Sequence, residues 1–234
     1  MIPLPPGPFG CILADPPWSF RTWNGKRGTP HRGAHDHYET MTRLDLLALP
    51  VADVAAKDCV LFMWVVSSHW HEALALGRAW GFAPKSLAFV WEKTTRSGFP
   101  KIGMGYWTRQ QAEVCLLFTR GKPQRRAKGV RQLIKSPRRD SSRKPDAIYR
   151  RIEQLVDGPY LELFARQAWP GWAAWGNDVS LYEPGAPMLG SRCPDTIDLF
   201  GKETPDALDP IQAPGRAGGA GADAGECPAA ADGL

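Results

Sequence analysis

Apolar positions along the chain fall into short runs that alternate between two spacings. CILA (11–14) is continuous and ends on Asp15, which reads as a short buried strand. RLDLLALP (43–50) follows Thr42, a predicted N-cap, and reads as a helix stopped by Pro50. CVLFMWVV (59–66) has no polar interruption, the mark of a strand covered on both faces, as in a parallel sheet. SSHWHEALALGRAWGF (67–82) carries a helical apolar stripe, a serine N-cap at its start and a closing Gly81. KSLAFVWEK (85–93) and AEVCLLFTRG (112–121) read as strands. KPDAIYRRIEQLVD (144–157) reads as an amphipathic helix with Pro145 in its first turn. YLELFA (160–165) and GWAAWGN (171–177) read as two last strands. This order predicts a doubly wound α/β sheet, in which ligands bind at the carboxyl ends of strands. Asp15, Lys93 and Arg166 sit at or just past such ends.

The pattern stops near residue 182. All ten tryptophans lie before that point, and the remainder is rich in Pro, Gly and Ala. Such a tail buries too little apolar surface to offset its ordering entropy. The expected division is therefore a folded domain over 1–182 and a largely disordered tail over 183–234, with PDTIDLFGKE (194–203) as a local element able to dock. Five scattered cysteines without a CxxC pair argue against a disulfide framework or a zinc site. No apolar run is long enough to cross a membrane, and the start lacks the pattern of a signal peptide, so a cytoplasmic protein is expected. A net charge of +5 and a pI near 9.0 suit an anionic partner.

The chemistry concentrates in DPPW (15–18). Two prolines remove two backbone donors and fix φ, while their carbonyls remain able to accept hydrogen bonds. The corner offers the Asp15 carboxylate and the Pro16 carbonyl beside the flat ring of Trp18. A planar group with an exocyclic amine, such as a nucleobase, fits those acceptors. The plainer alternative is a turn that only ends a strand. RGKPQRRAKGVRQLIKSPRRDSSRKP (120–145) holds one acid and many cations and reads as a loop. Arg125, Arg126 and Lys128 in it are candidate phosphate contacts, against the alternative of a solvated charge run. The segments 21–38 and 94–107 are further candidates for mobile flanks of the site. His31, His35, His37 and Asp36 lack a rigid metal-ligand spacing, so no metal site is expected. Trp64, Trp80 and Trp91 read as core. Glu113 reads equally as a residue orienting the site or as a strand cap.

Taken together, DPPW, HYETMT (37–42), LFMWVV (61–66), FVWEKT (89–94), GMGYWTRQQAEVCLLFTRG (103–121), SSRKPDAIYRRIEQL (141–155) and YLELFARQAWPGWAAWGND (160–178) resemble the MT-A70-like N6-adenine methyltransferases. The GMGYWTR segment is more similar to bacterial and phage members than to the eukaryotic RNA enzymes. The resemblance implies a Rossmann-like class I methyltransferase sheet with its motifs permuted, the catalytic motif preceding the cofactor strand. It implies S-adenosyl-L-methionine as cofactor and nucleic acid as partner, DNA favoured and RNA or cytosine N4 as alternatives. A catalytically silent nucleic-acid-binding subunit is the rival from another class. By the same resemblance Asp15 and Pro16 bind the target amine, Pro17 shapes the turn and Trp18 stacks on the base. Asp15 also lies near the methionine end of the cofactor. Lys144 meets the cofactor carboxylate, Arg166 and Asn177 hold its ribose, and Phe164 lines its adenine side. Tyr38 lies by the target base. Two departures stand out: Trp169-Pro170 replaces a polar pair in the turn after Arg166, and only about ten residues precede the DPPW strand. A monomer and a homodimer remain equally open.

Overall fold

The computed structural model describes residues 2–18, 41–105, 107–139 and 143–179. The chain divides into a unit over Met1–Arg192 and one over Cys193–Leu234. The second unit and the whole expected tail lie outside the described residues, as do Tyr38, the 21–38 segment and the histidine group.

Seven strands form one sheet in the order β5-β3-β4-β2-β1-β6-β7. They are β1 (Phe9–Ala14), β2 (Ala55–Val65), β3 (Ala83–Thr94), β4 (Ala112–Arg120), β5 (Leu133–Pro137), β6 (Tyr160–Leu163) and β7 (Trp172–Trp175). The helices are α1 (Arg43–Ala48), α2 (Val51–Val54), α3 (Trp70–Ala79) and α4 (Ala147–Leu155). This is a Rossmann-like α/β architecture, and the predicted elements fall close to their observed places.

The continuous apolar runs are explained by burial on both faces. In β1, Cys11 and Leu13 pack toward α4 with Ile148, Tyr149 and Ile152, whereas Ile12 and Ala14 pack toward Leu46, Ala73, Leu76 and Trp80 of the other helices. In β2, Val60, Phe62 and Trp64 face the first group and Leu61, Met63 and Val65 the second. Successive side chains of a strand point to opposite faces, so a two-sided core demands unbroken hydrophobicity. Trp64, Trp80 and Trp91 are fully buried, as expected of core.

Local signals account for several boundaries. Thr42 caps α1 in a reciprocal capping box with Asp45. Gly81, at φ 85, supplies the left-handed residue after α3. The serine N-cap is not realised: Ser67–His69 form a 3-10 turn, and α3 starts at Trp70 without a side-chain cap.

Two departures from expectation matter for function. First, β4 runs antiparallel to both of its neighbours, β2 and β3, while the other pairings are parallel. Among the described residues no helix separates β3 from β4. Without a crossover, consecutive paired strands return antiparallel. Second, the basic segment read as a loop contains β5, paired in parallel with β3 through Val90–Leu133 to Thr94–Pro137. Ile134 is its buried anchor.

Candidate active site

The carboxyl ends of six strands share one sheet edge, and the reversal of β4 brings its amino end to the same edge. Asp15 follows β1, Lys93 is the penultimate residue of β3, Glu113 the second of β4, and Arg166 follows β6. Lys144, in the approach to α4, reaches into this group. Its Nζ donates to Asp15 Oδ2 at 2.7 Å and lies 3.3 Å from Glu113 Oε2. Lys93 donates to Glu113 Oε1. The Lys144 ammonium also lies over the Trp64 ring, 5.6 Å from its centre.

Lys144 and Glu113 each favour the other's charged form. Burial works against the charge on Lys144, but the Asp15 and Glu113 carboxylates outweigh it and raise its pKa above the ordinary lysine value. Burial likewise opposes ionisation of Glu113, and Lys144 with Lys93 reverses the balance, so its pKa is lowered. Glu113 therefore does more than cap a strand. It is the second carboxylate of the cluster around Lys144.

The DPPW corner is held rigidly. Asp15 N–H reaches the Leu163 carbonyl at 3.4 Å, tying the end of β1 to the end of β6. The Pro16 carbonyl, expected to be open, accepts the Trp18 N–H at 2.8 Å. A carbonyl has two lone pairs, so this bond orients the oxygen and occupies only one of them. Trp18 differs more. Its ring is 7% exposed, its indole N–H donates to the Trp64 carbonyl at 3.1 Å, and it packs against His69. The stacking role read for Trp18 does not follow from this packing: its ring is already committed to the protein, where it anchors the corner.

Beside the corner lies an open cleft lined by Asp15, Pro17, Met41, Phe164, Arg166, Trp175, Gly176, Asn177 and neighbouring residues. Four of the residues assigned to the cofactor, Asp15, Phe164, Arg166 and Asn177, thus meet in one place. Phe164 adopts φ 61, a left-handed conformation uncommon for a bulky residue, directly after β6. Its ring lies between Trp80 and Trp175. Gly176 is required by close approach: a Cβ there would lie 2.7 Å from the Ala165 carbonyl oxygen and 2.8 Å from its nitrogen. The two strand ends close on each other, with Ala165 N–H bonded to the Trp175 carbonyl at 2.9 Å. Met41, Trp175, Gly176 and Asp178 were not singled out in the sequence. They reach the cleft through the β6–β7 pairing and the return to α1, which no local pattern announces.

A buried polar network backs the site. Tyr149 O–H lies within 2.8 and 3.0 Å of the two Glu162 oxygens, Gln167 donates to Tyr149 at 3.0 Å, and Arg143 donates to Gln167. Arg139 and Asp146 form a forked pair at 2.7 and 2.8 Å. Burial raises the Glu162 carboxyl to about 8. Trp169 stacks on Tyr149 at 4.4 Å, so the unusual Trp-Pro turn builds this network's cover.

The basic segment is divided by β5. Arg125, Arg126 and Lys128 are exposed, and Arg126 bonds the Leu155 carbonyl and pairs with Asp157, just before β6 begins. They therefore lie at the opposite edge of the sheet from Asp15, separated from it by the length of β1, six residues or about 20 Å. The structure does not bring them to the site. Arg138, after β5, does stand at the Asp15 edge, its N–H bonded to the Thr94 carbonyl at 3.0 Å.

The carboxylate corner after β1 precedes the cleft strand β6 in the chain, the order that the resemblance implies for a permuted Rossmann-like methyltransferase sheet. The MT-A70 family model matches residues 9–178, and the chain belongs to the MT-A70 family of N6-adenine methyltransferases, which use S-adenosyl-L-methionine as methyl donor. It is 33% identical to the Type II methyltransferase M.MunI of Mycoplasma sp over 75% of this chain and 80% of that protein. It is 30% identical to the human N(6)-adenosine-methyltransferase catalytic subunit METTL3 over 86% of this chain and 32% of that protein. The Arabidopsis thaliana N(6)-adenosine-methyltransferase MT-A70-like protein is 30% identical over 74% of this chain and 24% of its own length. The chain thus spans about a third or less of these two adenosine methyltransferases. Among the described residues no helix is long and apolar enough to cross a membrane.

Proposed function

We propose that this chain transfers a methyl group from S-adenosyl-L-methionine to the N6 amine of adenine in DNA. The observation that carries the reading is the Asp15 carboxylate, clamped by Lys144 at the end of β1 and opening onto the cleft of Phe164, Arg166 and Asn177. The donor set fits the cofactor: an acid and a guanidinium for its charged end and hydroxyls, an amide, and an aromatic ring for its base. When bound, the cofactor supplies an electrophilic methyl group on a sulfonium.

The protein's own part is positioning and electrostatics. Adenine N6 is a poor nucleophile because its lone pair is delocalised into the ring. Asp15 Oδ2 is engaged by Lys144, so we assign Oδ1 and the Pro16 carbonyl to the two amine hydrogens. Accepting both hydrogens favours a pyramidal nitrogen and localises its lone pair. Lys144 keeps the Asp15 carboxylate oriented, and Glu113 with Lys93 holds Lys144 in turn. Trp18 and the Asp15–Leu163 bond keep the corner from shifting. Arg166 and Asn177 hold the ribose and Phe164 the adenine face. The target base must leave its stack to reach Asp15.

DNA is favoured because a relative that the chain matches over 80% of its length is a Type II methyltransferase rather than an adenosine methyltransferase. The deciding experiment measures initial rates on DNA and RNA oligonucleotides of one sequence, each single- and double-stranded. Faster transfer to DNA is expected; faster transfer to RNA would replace DNA with RNA in this reading. Arg166→Ala and Asn177→Ala should each weaken cofactor binding in a calorimetric titration.

A further inference from the structure

The connection between β3 and β4 rises from the active-site edge as an arm, and it is built to display apolar side chains. Its backbone is closed by its own hydrogen bonds. Thr95 N–H donates to Phe99 O at 2.7 Å, Lys101 N–H to Lys93 O at 2.8 Å and Gly103 N–H to Gln110 O at 2.6 Å. The Arg109 Nε–H donates to Gly103 O at 2.9 Å, and the Gln110 amide reaches Ser67 at 3.3 Å. On this scaffold Phe99 is 70% exposed, Ile102 53%, Met104 81% and Trp107 92%. These are four of the eight large hydrophobic residues found exposed among the described residues. A tryptophan so fully in water, in the loop that the Gly103–Gln110 bond closes, marks a contact surface rather than core.

The charge around these residues selects the partner. Arg96, Lys101 and Arg109 are exposed on the arm, no Asp or Glu occurs between Thr94 and Ala112, and exposed Arg138 bonds the root of the arm at Thr94. Cations interleaved with aromatic and flexible apolar side chains suit a nucleic-acid strand, whose bases stack while its phosphates pair. A protein partner for an apolar patch would not require a uniformly positive rim. The root places this surface beside the chemistry: Lys93 and Glu113 flank the arm, and Glu113 joins Lys144 and Asp15.

We propose that the β3–β4 arm is a base-stacking surface for the nucleotides flanking the methylated adenine. Trp107, Met104 and Phe99 contact bases, and Arg96 and Lys101 contact phosphates. The inference rests on the proposed nucleic-acid methyltransferase activity.

Stacking and charge separate in a salt series. Binding of labelled single-stranded DNA and RNA oligonucleotides is measured at several salt concentrations for wild type, Trp107→Ala, Trp107→Phe, Met104→Ala and the double variant Arg96→Gln/Lys101→Gln. Trp107→Ala should weaken binding about 5-fold or more at every salt concentration with an unchanged slope, and Trp107→Phe should recover most of the loss. The double variant should instead flatten the slope by about 1.4 units for two lost phosphate contacts on a single strand. Cofactor affinity should stay unchanged throughout. Wild-type affinity in both Trp107→Ala and Met104→Ala would overturn the proposal. So would unchanged affinity accompanied by a shift in sedimentation, which would make the arm a contact between copies of the chain. If wild type binds neither DNA nor RNA, the proposed activity itself fails and the arm's role falls with it, a result distinct from equal binding by wild type and variants.

Discussion

Lys144 carries more of the site's organisation than a single cofactor contact would. Its ammonium bridges the Asp15 carboxylate and Glu113, two groups brought together by strands that run in opposite directions. Glu113 has its pKa lowered despite burial, by Lys144 first and Lys93 second, so its contribution to stability is present above the usual carboxylate value of 4.5 and is lost as pH falls through the lowered one. Lys144→Met should move that acid loss to higher pH, visible as a melting temperature that begins to fall earlier on acidification. Glu162 has the opposite sign. With its pKa raised from 4.5 to about 8 by burial, it binds its proton more tightly in the folded state. Its contribution is full below about 4.5 and is lost as pH rises toward about 8, at a slope of at most about 1.4 kcal/mol per pH unit. Glu162→Gln keeps an acceptor for Tyr149 and should flatten that part of the stability curve. A melting series from acid to mildly alkaline pH for wild type and both variants checks the two signs together.

Elements explain why some of this was legible in the sequence and some was not. β1 and β2 are buried on both faces, so their runs are unbroken and their ends conspicuous, and Asp15 stood out for that reason. The direction of β4 was not legible, because alternation or continuity of side chains carries no polarity along the chain. Glu113 consequently stayed ambiguous: its role depends on an antiparallel strand and on a lysine from a distant segment. β5 was hidden because it is an edge strand among charges, with Ile134 buried and Leu133 exposed. Lys144 and Asn177 were reached through family resemblance rather than through pattern, whereas Arg166 also stood out just past a strand end. The α3 packing offers a test at this scale. A Cβ on Gly77 would lie 2.6 Å from Cδ1 of the fully buried Phe118 ring. Overpacking costs about 1–3 kcal/mol, against about 1 kcal/mol gained in helix propensity. Gly77→Ala should therefore lower the melting temperature by a few degrees, about 2–4 °C for each kcal/mol lost. An increase would show that the ring yields freely.

At the scale of the whole molecule, chemistry and charge are distributed by sheet edge. The carboxyl edge gathers Asp15, Lys144, Glu113, the cleft, the β3–β4 arm and Arg138, whereas Arg125, Arg126 and Lys128 stand at the far edge near the start of β6. Their proximity in sequence to Arg138 conceals this, since β5 carries the chain across the sheet between them. Neutralising Arg125, Arg126 and Lys128 together should leave methylation of a short oligonucleotide and its salt dependence unchanged. Neutralising Arg138 should weaken both affinity and salt dependence. Equal losses in the two variants would mean that the strand wraps from one edge to the other.

The most direct test of the account is product analysis with and without the Asp15 carboxylate. Wild type and Asp15→Asn are each incubated with methyl-labelled S-adenosyl-L-methionine and mixed-sequence DNA, and the digested nucleosides are separated by mass spectrometry. The amide retains shape but turns part of the acceptor site into a donor, and loss of one preorganised contact of this kind costs about 100- to 1,000-fold in rate. The expected result is labelled N6-methyldeoxyadenosine from wild type and at least a 100-fold slower yield from a folded Asp15→Asn protein. Methyl transfer to another atom, or transfer by Asp15→Asn at the wild-type rate, would contradict it.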